Sequence, residues 1–146
     1  GLIINHTVSN TVLLFRHSRS RQQLIYHIII HHPHYKVKMG VTKEIIVAGT
    51  GPKVQPGQKV LAHYTGTLTN GQVFDSSHKR GKPFSFVVGI GQVIKGWDEG
   101  MVGMAVGEKA MLKITSDYAY GARGAGGVIP PNADLNFEVE IIAINP

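Results

Sequence analysis

The sequence lacks cysteine altogether, which excludes disulfide bonds, thiolate nucleophiles and cysteine-ligated zinc sites. It also lacks a hydrophobic run near the roughly 18 residues that a membrane-spanning helix needs. Arg16 and His27 interrupt the two most apolar stretches. We therefore expect a protein that does not enter the membrane.

Several sequence signatures of catalysis are also absent: the G-x-S-x-G elbow, the phosphate-binding loop G-x-x-x-x-G-K-[ST] and the zinc motif H-E-x-x-H. After residue 38 only two histidines remain, His63 and His78. Neither has a serine or an acid at a diagnostic spacing, which argues against a catalytic triad. The candidates left for chemistry are aromatic residues with a few polar groups.

The net charge of +6 comes almost entirely from the first 38 residues. That segment has five basic residues and no acidic one, whereas residues 39–146 have ten basic and nine acidic residues. The folded part is thus nearly neutral, and we expect no binding to nucleic acid. The break in composition near Met39 predicts an N-terminal extension, 1–38, and one domain, 39–146. The extension is interpreted as vector-derived or translated upstream sequence ahead of a natural initiator, or as a transit peptide.

The extension also contains most of the histidines, among them His27, His31, His32 and His34. Closely spaced imidazoles can bind a metal, but no carboxylate lies nearby and Pro33 disrupts helical spacing. We interpret any metal binding there as adventitious, and we predict no built metal site and no cofactor.

Alternating apolar residues and turn signals predict antiparallel strands. The predicted strands are 41–47, 58–67, 72–76, 84–88, 109–115 and 135–141. Asn70-Gly71 predicts a hairpin with a type I′ turn, because both residues tolerate positive φ. The long segment 116–133 is predicted to be a loop, and loops of this length commonly carry function.

One short helix is predicted around Trp97, the single tryptophan of the chain. Ile94, Trp97, Met101 and Met104 recur at the spacing of one helical face, so that face should pack on the sheet. Strands joined by hairpins and one helix indicate an antiparallel α+β domain. Inward-facing aromatic residues then meet the indole, either as a filled core or as a lined pocket.

An aromatic pocket with a few polar groups can catalyse rotation about a peptide bond that precedes proline. The barrier of about 18–20 kcal/mol arises from amide resonance, which the twisted transition state has lost. An apolar site that binds the twisted amide more tightly than the planar amide lowers this barrier without an acid or a base.

Seven short motifs follow one another in order over residues 39–146: His63-Tyr64-Thr65-Gly66, Gly71 with Phe74-Asp75-Ser76-Ser77, Lys82-Pro83-Phe84, Val93-Ile94-Lys95-Gly96-Trp97, Asp117-Tyr118-Ala119-Tyr120-Gly121, Ile129-Pro130-Pro131 and Phe137-Glu138-Val139-Glu140. Together they resemble the FK506-binding protein family of peptidyl-prolyl isomerases, and in particular its small single-domain members. The resemblance implies a strongly bent antiparallel sheet of about five strands wrapped over one short α-helix.

The resemblance also implies a site. Trp97 would be its floor, and the backbone N–H of Ile94 and the hydroxyl of Tyr120 would bind carbonyl oxygens. Asp75 would accept a hydrogen bond from bound macrolides, with Arg80 packed near it; as an alternative, Asp75 is a turn or sheet-edge carboxylate. The apolar walls would be Tyr64, Phe74, Val93, Ile94, Ile129 and Phe137, with Phe84 at the inner edge. The residues assigned to catalysis itself are Tyr64, Phe74, Asp75, Ile94, Trp97, Tyr120 and Phe137.

The implied partners are proline-containing polypeptides and macrolides of the FK506 and rapamycin kind, and through them calcineurin or the rapamycin-target kinase. A cytoplasmic monomer is expected. A second hypothesis is a module that binds proline loops of a partner, with incidental turnover. The chain departs from its relatives at Gly124-Ala125-Gly126-Gly127, where small residues occupy the tip of the long loop. The resemblance therefore does not extend to the substrate preference that this tip would set.

Overall fold

Six antiparallel strands and one α-helix make up residues 40–146, the part of the chain that the computed structural model describes. In chain order they are β1 (Val41–Val47), β2 (Lys59–Leu68), β3 (Val73–Ser76), β4 (Phe84–Val87), α1 (Lys95–Gly100), β5 (Lys109–Ile114) and β6 (Leu135–Ile144). Two short 3-10 turns, Ser116–Tyr118 and Gly121–Arg123, lie within the predicted long loop. The bent antiparallel sheet with one short helix confirms the predicted fold class.

The sheet has the order β1-β5-β6-β2-β3, and β4 pairs with β2 outside this path. The ten-residue strands β2 and β6 pair from Val60↔Ile144 to Leu68↔Leu135 and form its centre. On its other side, β2 pairs first with β4 and then with β3. Counting β4 gives six strands, the number that the alternating patterns predicted and one more than the approximate number that the family resemblance implied. Because β2 changes partner along its length, β3 and β4 both pair with the same edge of β2.

The alternation that predicted β2 and β6 reflects two different faces of the sheet. On β2 the buried residues are Val60, Ala62, Tyr64 and Gly66, and on β6 they are Leu135, Phe137, Val139 and Ile141. The residues that alternate with them are more accessible. The buried face packs against α1 and the residues that follow it. The core is therefore one layer between the sheet and the helix.

The helix is shorter than its hydrophobic pattern predicted, because α1 ends at Gly100. Met101 and Met104 lie after the helix, yet both are fully buried, as expected for that face. Gly103 adopts a φ of 85°, which a helix cannot accommodate and which favours glycine. The pattern predicted which residues are buried, but the chain reaches Met104 through a turn.

Gly96 explains how so short a helix can pack closely on the sheet. A Cβ atom at this position would lie 2.5 Å from Cγ2 of Ile114 in β5. A glycine in a helix costs about 1 kcal/mol relative to alanine. Here that cost is offset by the close contact between α1 and β5.

The hairpin between β2 and β3 is present as predicted, but its turn type is not the predicted one. A type I′ turn needs positive φ at both central residues. Gly71 has a φ of 89°, whereas Asn70 does not have positive φ. The N–H of Leu68 donates to the carbonyl of Gln72 at 2.9 Å, which closes a three-residue loop. The carboxamide of Asn70 accepts instead from the N–H of Gln72, so the prediction of a type I′ turn is wrong.

The extension 1–38 and its histidines lie outside the described residues, and the interpretations given for them stay predictions. Within residues 40–146 no helix is long and apolar enough to cross a membrane. The same part of the chain contains no group of three potential metal-ligating side chains.

Candidate functional site

A pocket of about 410 Å³ opens between the sheet, the helix α1 and the long loop. It is lined by Tyr64, Phe74, Asp75, Phe84, Gln92, Val93, Ile94, Trp97, Tyr120 and Phe137. Nine of these ten residues are ones that the sequence assigned to the site. They come from β2, β3, β4, β6, α1 and the loops on either side, so only the folded chain brings them together.

Trp97 lies at the bottom of this pocket and is only 4% exposed. Its ring centroid is 4.9 Å from that of Tyr64 and 5.2 Å from that of Phe137, both in edge-to-face geometry. The ring centroids of Phe137 and Phe74 are 5.5 Å apart, again in edge-to-face geometry. Such pairs contribute about 0.5–1.5 kcal/mol each beyond burial. Trp97 thus belongs to the core and also lines the pocket.

Gly66 makes room for these rings. A Cβ atom on this β2 residue would lie 2.6 Å from Cζ of Phe74 and 2.7 Å from Cε1 of Phe137. Both distances are shorter than a carbon–carbon contact allows, so only glycine fits here. Phe84 lies at the pocket edge with 38% of its surface exposed, where it stacks on Phe86 at 5.5 Å.

Tyr64, Asp75 and Arg80 form a polar cluster at one side of the pocket. The hydroxyl of Tyr64 donates to Oδ2 of Asp75 at 2.6 Å. Arg80 donates through Nη1 to Oδ1 of Asp75 and through Nη2 to the Tyr64 hydroxyl, both at 2.6 Å. Asp75 lies on the edge strand β3, is held by two donors and lines the pocket, and its role toward a bound macrolide stays a prediction.

This cluster shifts the titration of its members. Burial opposes the ionisation of Asp75, but the hydrogen bonds from Tyr64 and Arg80, together with the charge of Arg80, outweigh it and lower the pKa of Asp75. Burial raises the pKa of Tyr64, and its hydrogen bond to Asp75 adds to the increase. Near neutral pH the carboxylate is thus ionised and the phenol is protonated.

Two hydrogen-bond donors at the pocket have no acceptor among residues 40–146, the described part of the chain. Ile94 precedes α1, and its carbonyl accepts from the N–H groups of Trp97 and Asp98, whereas its own N–H donates to no group among residues 40–146. The Tyr120 hydroxyl likewise has no partner within the described chain. Burial, followed by the nearby charge of Asp75, raises the pKa of Tyr120, so this hydroxyl stays protonated. Both groups can donate to a bound carbonyl oxygen.

The segment between β4 and α1 is fixed by side chains that the sequence analysis did not single out. The carboxylate of Asp98 accepts from the N–H groups of Gly89 at 2.8 Å and Gly91 at 2.9 Å. Gln92, a pocket residue, accepts from the N–H of Val87 at 2.9 Å. Gln92 directly precedes the Val93 motif, and this adjacency was the one signal in the sequence that pointed to it.

Ile129 does not line this pocket. It is buried and lines a neighbouring depression on the long loop. Tyr120 lines that depression as well. The sequence assigned it to the pocket wall.

His63 and His78, the two histidines in the described part of the chain, do not form a triad. Nδ1 of His63 lies 2.8 Å from Oγ of Ser77, a contact that the spacing did not reveal. However, Ser77 is fully buried, and its hydroxyl is engaged by the N–H and the carbonyl of Tyr64. His63 instead stacks on His78 at 4.1 Å. Ser77 therefore fastens β3 to β2 and is closed to a substrate.

The domain is similar in sequence to proteins of one known family. Residues 51–142 match the family model of the FKBP-type peptidyl-prolyl cis-trans isomerases. The chain is 62% identical over 104 residues to FK506-binding protein 1 of Dictyostelium discoideum, covering 71% of this chain and 97% of that protein. It is 56% identical over 108 residues to a peptidyl-prolyl cis-trans isomerase of Schizosaccharomyces pombe, covering 73% and 96%.

A solved structure supports the same assignment. The crystal structure of AtFKBP13 superposes with a TM-score of 0.68 at 44% identity, over 73% of this chain and 95% of that one. The family model covers more than half of the chain, and both relatives are matched over nearly their full lengths. The chain therefore belongs to the FKBP-type peptidyl-prolyl cis-trans isomerases and is an enzyme of that class.

Proposed function

We propose that the enzyme accelerates rotation about X-Pro bonds by holding the twisted amide in the pocket over Trp97. The observation that carries this proposal is a pair of donors beside an apolar floor, the Ile94 N–H and the Tyr120 hydroxyl, which have no acceptor within the described residues. These donors bind substrate carbonyl oxygens and fix the chain on either side of the rotating bond. The proline ring lies on the indole.

Catalysis then follows from differential binding. The planar amide has a polar carbonyl and a partial C–N double bond, and both are reduced when the bond is twisted. An apolar pocket walled by aromatic rings therefore binds the twisted form more tightly than the planar one. Donors that are already oriented lose little entropy when the substrate binds, so they contribute to positioning at low cost. No proton is transferred at any step.

The polar cluster has a supporting part in this mechanism. Arg80 and Asp75 hold the ring of Tyr64 beside Trp97, with the guanidinium also 5.5 Å from the centroid of that ring. Because the Asp75 carboxylate accepts hydrogen bonds from Tyr64 and Arg80, it stays in place when substrate enters. Its charge is available to a ligand that carries a hydrogen-bond donor.

The Tyr120 hydroxyl gives the most direct test of this mechanism. We expect Tyr120→Phe to reduce kcat/KM on a Leu-Pro peptide by about two- to tenfold, the value of one neutral hydrogen bond. Tyr118→Phe is the matched control, since it removes a hydroxyl from a tyrosine that does not line the pocket. Equal activity of Tyr120→Phe and wild type would contradict the assigned donor.

The same pocket is proposed to bind macrolides of the FK506 and rapamycin kind. The support is a relative named for FK506 binding and an apolar cavity with one ionised carboxylate at its side. The macrolide-bound surface is then proposed to engage calcineurin or the rapamycin-target kinase. Isothermal titration with FK506, using Asp75→Asn as the comparison, tests the first step, and wild type should bind more tightly.

The pocket could serve instead as a binding site for a proline loop of a partner protein, with turnover incidental. That reading predicts tight peptide binding with almost no rate enhancement. The peptide assay decides between the two, because the enzyme reading needs the rate itself. Cytoplasmic location, a monomeric state and an absence of nucleic-acid binding stay predictions.

A further inference from the structure

A second depression lies beside the pocket on the long loop and has a volume of about 660 Å³. Tyr120 lines both cavities, so the two are neighbours on either side of one residue. The remaining walls are Arg123, Ile129, the small residues 124–127 and Pro130-Pro131. A polypeptide whose proline occupies the pocket would meet this depression on leaving over Tyr120.

The depression owes its form to the small residues of the loop tip. The loop folds back on itself through two hydrogen bonds, in which the N–H groups of Ala125 and Ile129 each donate to the other residue's carbonyl at 3.0 Å. A Cβ atom at Gly124 would collide with the carbonyl oxygen of Ile129, so this closure requires glycine. At Gly126 and Gly127 a Cβ atom would meet nothing. The depression is thus held by backbone contacts and left open by the missing side chains.

Arg123 is the one charged side chain that lines this depression. It is exposed, and no carboxylate in residues 40–146 forms an ion pair with it. By contrast, Arg80 at the main pocket is already paired with Asp75. An unpaired guanidinium presents a planar set of donors that matches a carboxylate. The charge complementary to this wall is therefore negative.

We infer that the depression is a substrate subsite, which receives the polypeptide segment flanking the proline, and that Arg123 selects an acidic side chain on that segment. The inference rests on the proposed function of the adjacent pocket. It makes Arg123 a residue that determines specificity and takes no part in the rotation itself. An exposed ion pair of this kind corresponds to a preference of about two- to fivefold.

The test is a set of proline peptides in which each position within four residues of the proline is Ala, Glu or Lys in turn. With wild type, Glu at one flanking position should give a kcat/KM about two- to fivefold above Lys. Arg123→Gln should remove this preference, and Arg123→Glu should reverse it. Lys53→Gln is the matched control, because it removes an exposed positive charge that lines neither cavity.

Added salt gives a second readout. Since the screening length falls from about 10 Å at 0.1 M to about 3 Å at 1 M, the Glu preference should shrink in high salt while the Ala peptide is unaffected. A Glu-to-Lys ratio that is the same in wild type and Arg123→Gln, or no preferred position at all, would overturn the subsite.

Failure of the subsite and failure of the proposed function are distinguishable. If no peptide is isomerised, including the Ala series, the proposed function fails. Fluorescence anisotropy with the same labelled peptides then tests the subsite alone. An Arg123-dependent preference for Glu in binding would support it, and equal affinity of the Glu and Lys peptides would overturn it.

Discussion

The hydroxyl of Tyr64 and the carboxylate of Asp75 lie 2.6 Å apart on neighbouring strands, with Arg80 bonded to both. This relationship joins the pocket wall to its one charged group. It depends on the pairing of β2 with β3, which places Asp75 opposite Gly66. The two residues are eleven positions apart in the sequence, and the hairpin at Gly71 brings them together.

Removing the Tyr64 hydroxyl tests the cluster. Tyr64→Phe should lower the free energy of unfolding by about 1–3 kcal/mol, because the hydroxyl loses two hydrogen bonds, one to Asp75 and one from Arg80, while Arg80 still satisfies the carboxylate. It should also raise the pKa of Asp75, since the hydrogen bond from Tyr64 helps to lower it. Urea unfolding and NMR titration of the Asp75 carboxyl group measure both effects. Tyr118→Phe is the control, and an unchanged Asp75 pKa in Tyr64→Phe would contradict the assignment.

The indole of Trp97 should contribute through its volume and not through its N–H. Nε1 is buried and has no hydrogen-bond partner in the described part of the chain. Trp97→Ala should therefore cost about 3–5 kcal/mol, whereas Trp97→Phe should cost clearly less, because the lost N–H made no bond. Urea unfolding followed by far-UV circular dichroism measures both variants. A phenylalanine variant as unstable as the alanine variant would argue against this account.

Gly66 and Gly71 should respond differently to substitution. Gly66→Ala forces a Cβ atom into Phe74 and Phe137, so it should destabilise the fold by about 1–3 kcal/mol, as overpacking does, and weaken peptide binding. At Gly71 a Cβ atom meets nothing, but φ is 89°. Gly71→Asn should therefore be nearly neutral, since asparagine tolerates positive φ. Thermal unfolding and peptide titration compare the two, and equal behaviour would contradict the packing argument.

The rate of isomerisation should be independent of pH between about pH 5 and 9, because no pocket group of the mechanism titrates there. The pKa of Asp75 is lowered, and those of Tyr64 and Tyr120 are raised. NMR exchange spectroscopy on a proline peptide avoids the pH dependence of a coupling protease. A bell-shaped profile would indicate acid–base chemistry and contradict the mechanism.

The same shifts set the pH dependence of stability. For Asp75, whose folded-state pKa is lowered, the stabilisation is present above the ordinary aspartate pKa and is lost as the pH falls through the lowered value. For the two tyrosines, with raised pKa values, it is present below the ordinary tyrosine pKa and is lost as the pH rises through the raised values. Equilibrium unfolding at a series of pH values measures these contributions to the free energy of unfolding. The contribution of Asp75 should be lost only at acidic pH, and that of the two tyrosines only at alkaline pH.

Much of this protein could be predicted from the sequence because its strands alternate clearly and its motifs are local. Alternation in Leu135–Ile144 marks the buried face, and the spacing of Trp97, Met101 and Met104 marks the helix side. The helix end could not be predicted, because Met101 and Met104 would be buried whether the chain continued as a helix or turned at Gly103, as it does. The turn type failed for a similar reason, since Asn70 tolerates positive φ but does not adopt it.

The residues of the site that escaped prediction act through tertiary contacts. Asp98 lies on the exposed side of the helix pattern, and only the fold brings it to the N–H groups of Gly89 and Gly91. The position of Ile129 outside the pocket depends on how the loop closes through Gly124. Neither effect has a local signature in the sequence.

The central claim is that the pocket over Trp97 both binds and isomerises X-Pro bonds. The most direct measurement is the cis-to-trans rate of a Leu-Pro peptide with the full chain while FK506 is titrated in, followed in parallel by the fluorescence of Trp97. We expect a rate enhancement that is abolished at near-stoichiometric drug, together with a change in emission from the single tryptophan. A rate enhancement that persists at saturating FK506 would contradict this expectation. So would a chain that binds FK506 but does not accelerate isomerisation when the drug is absent.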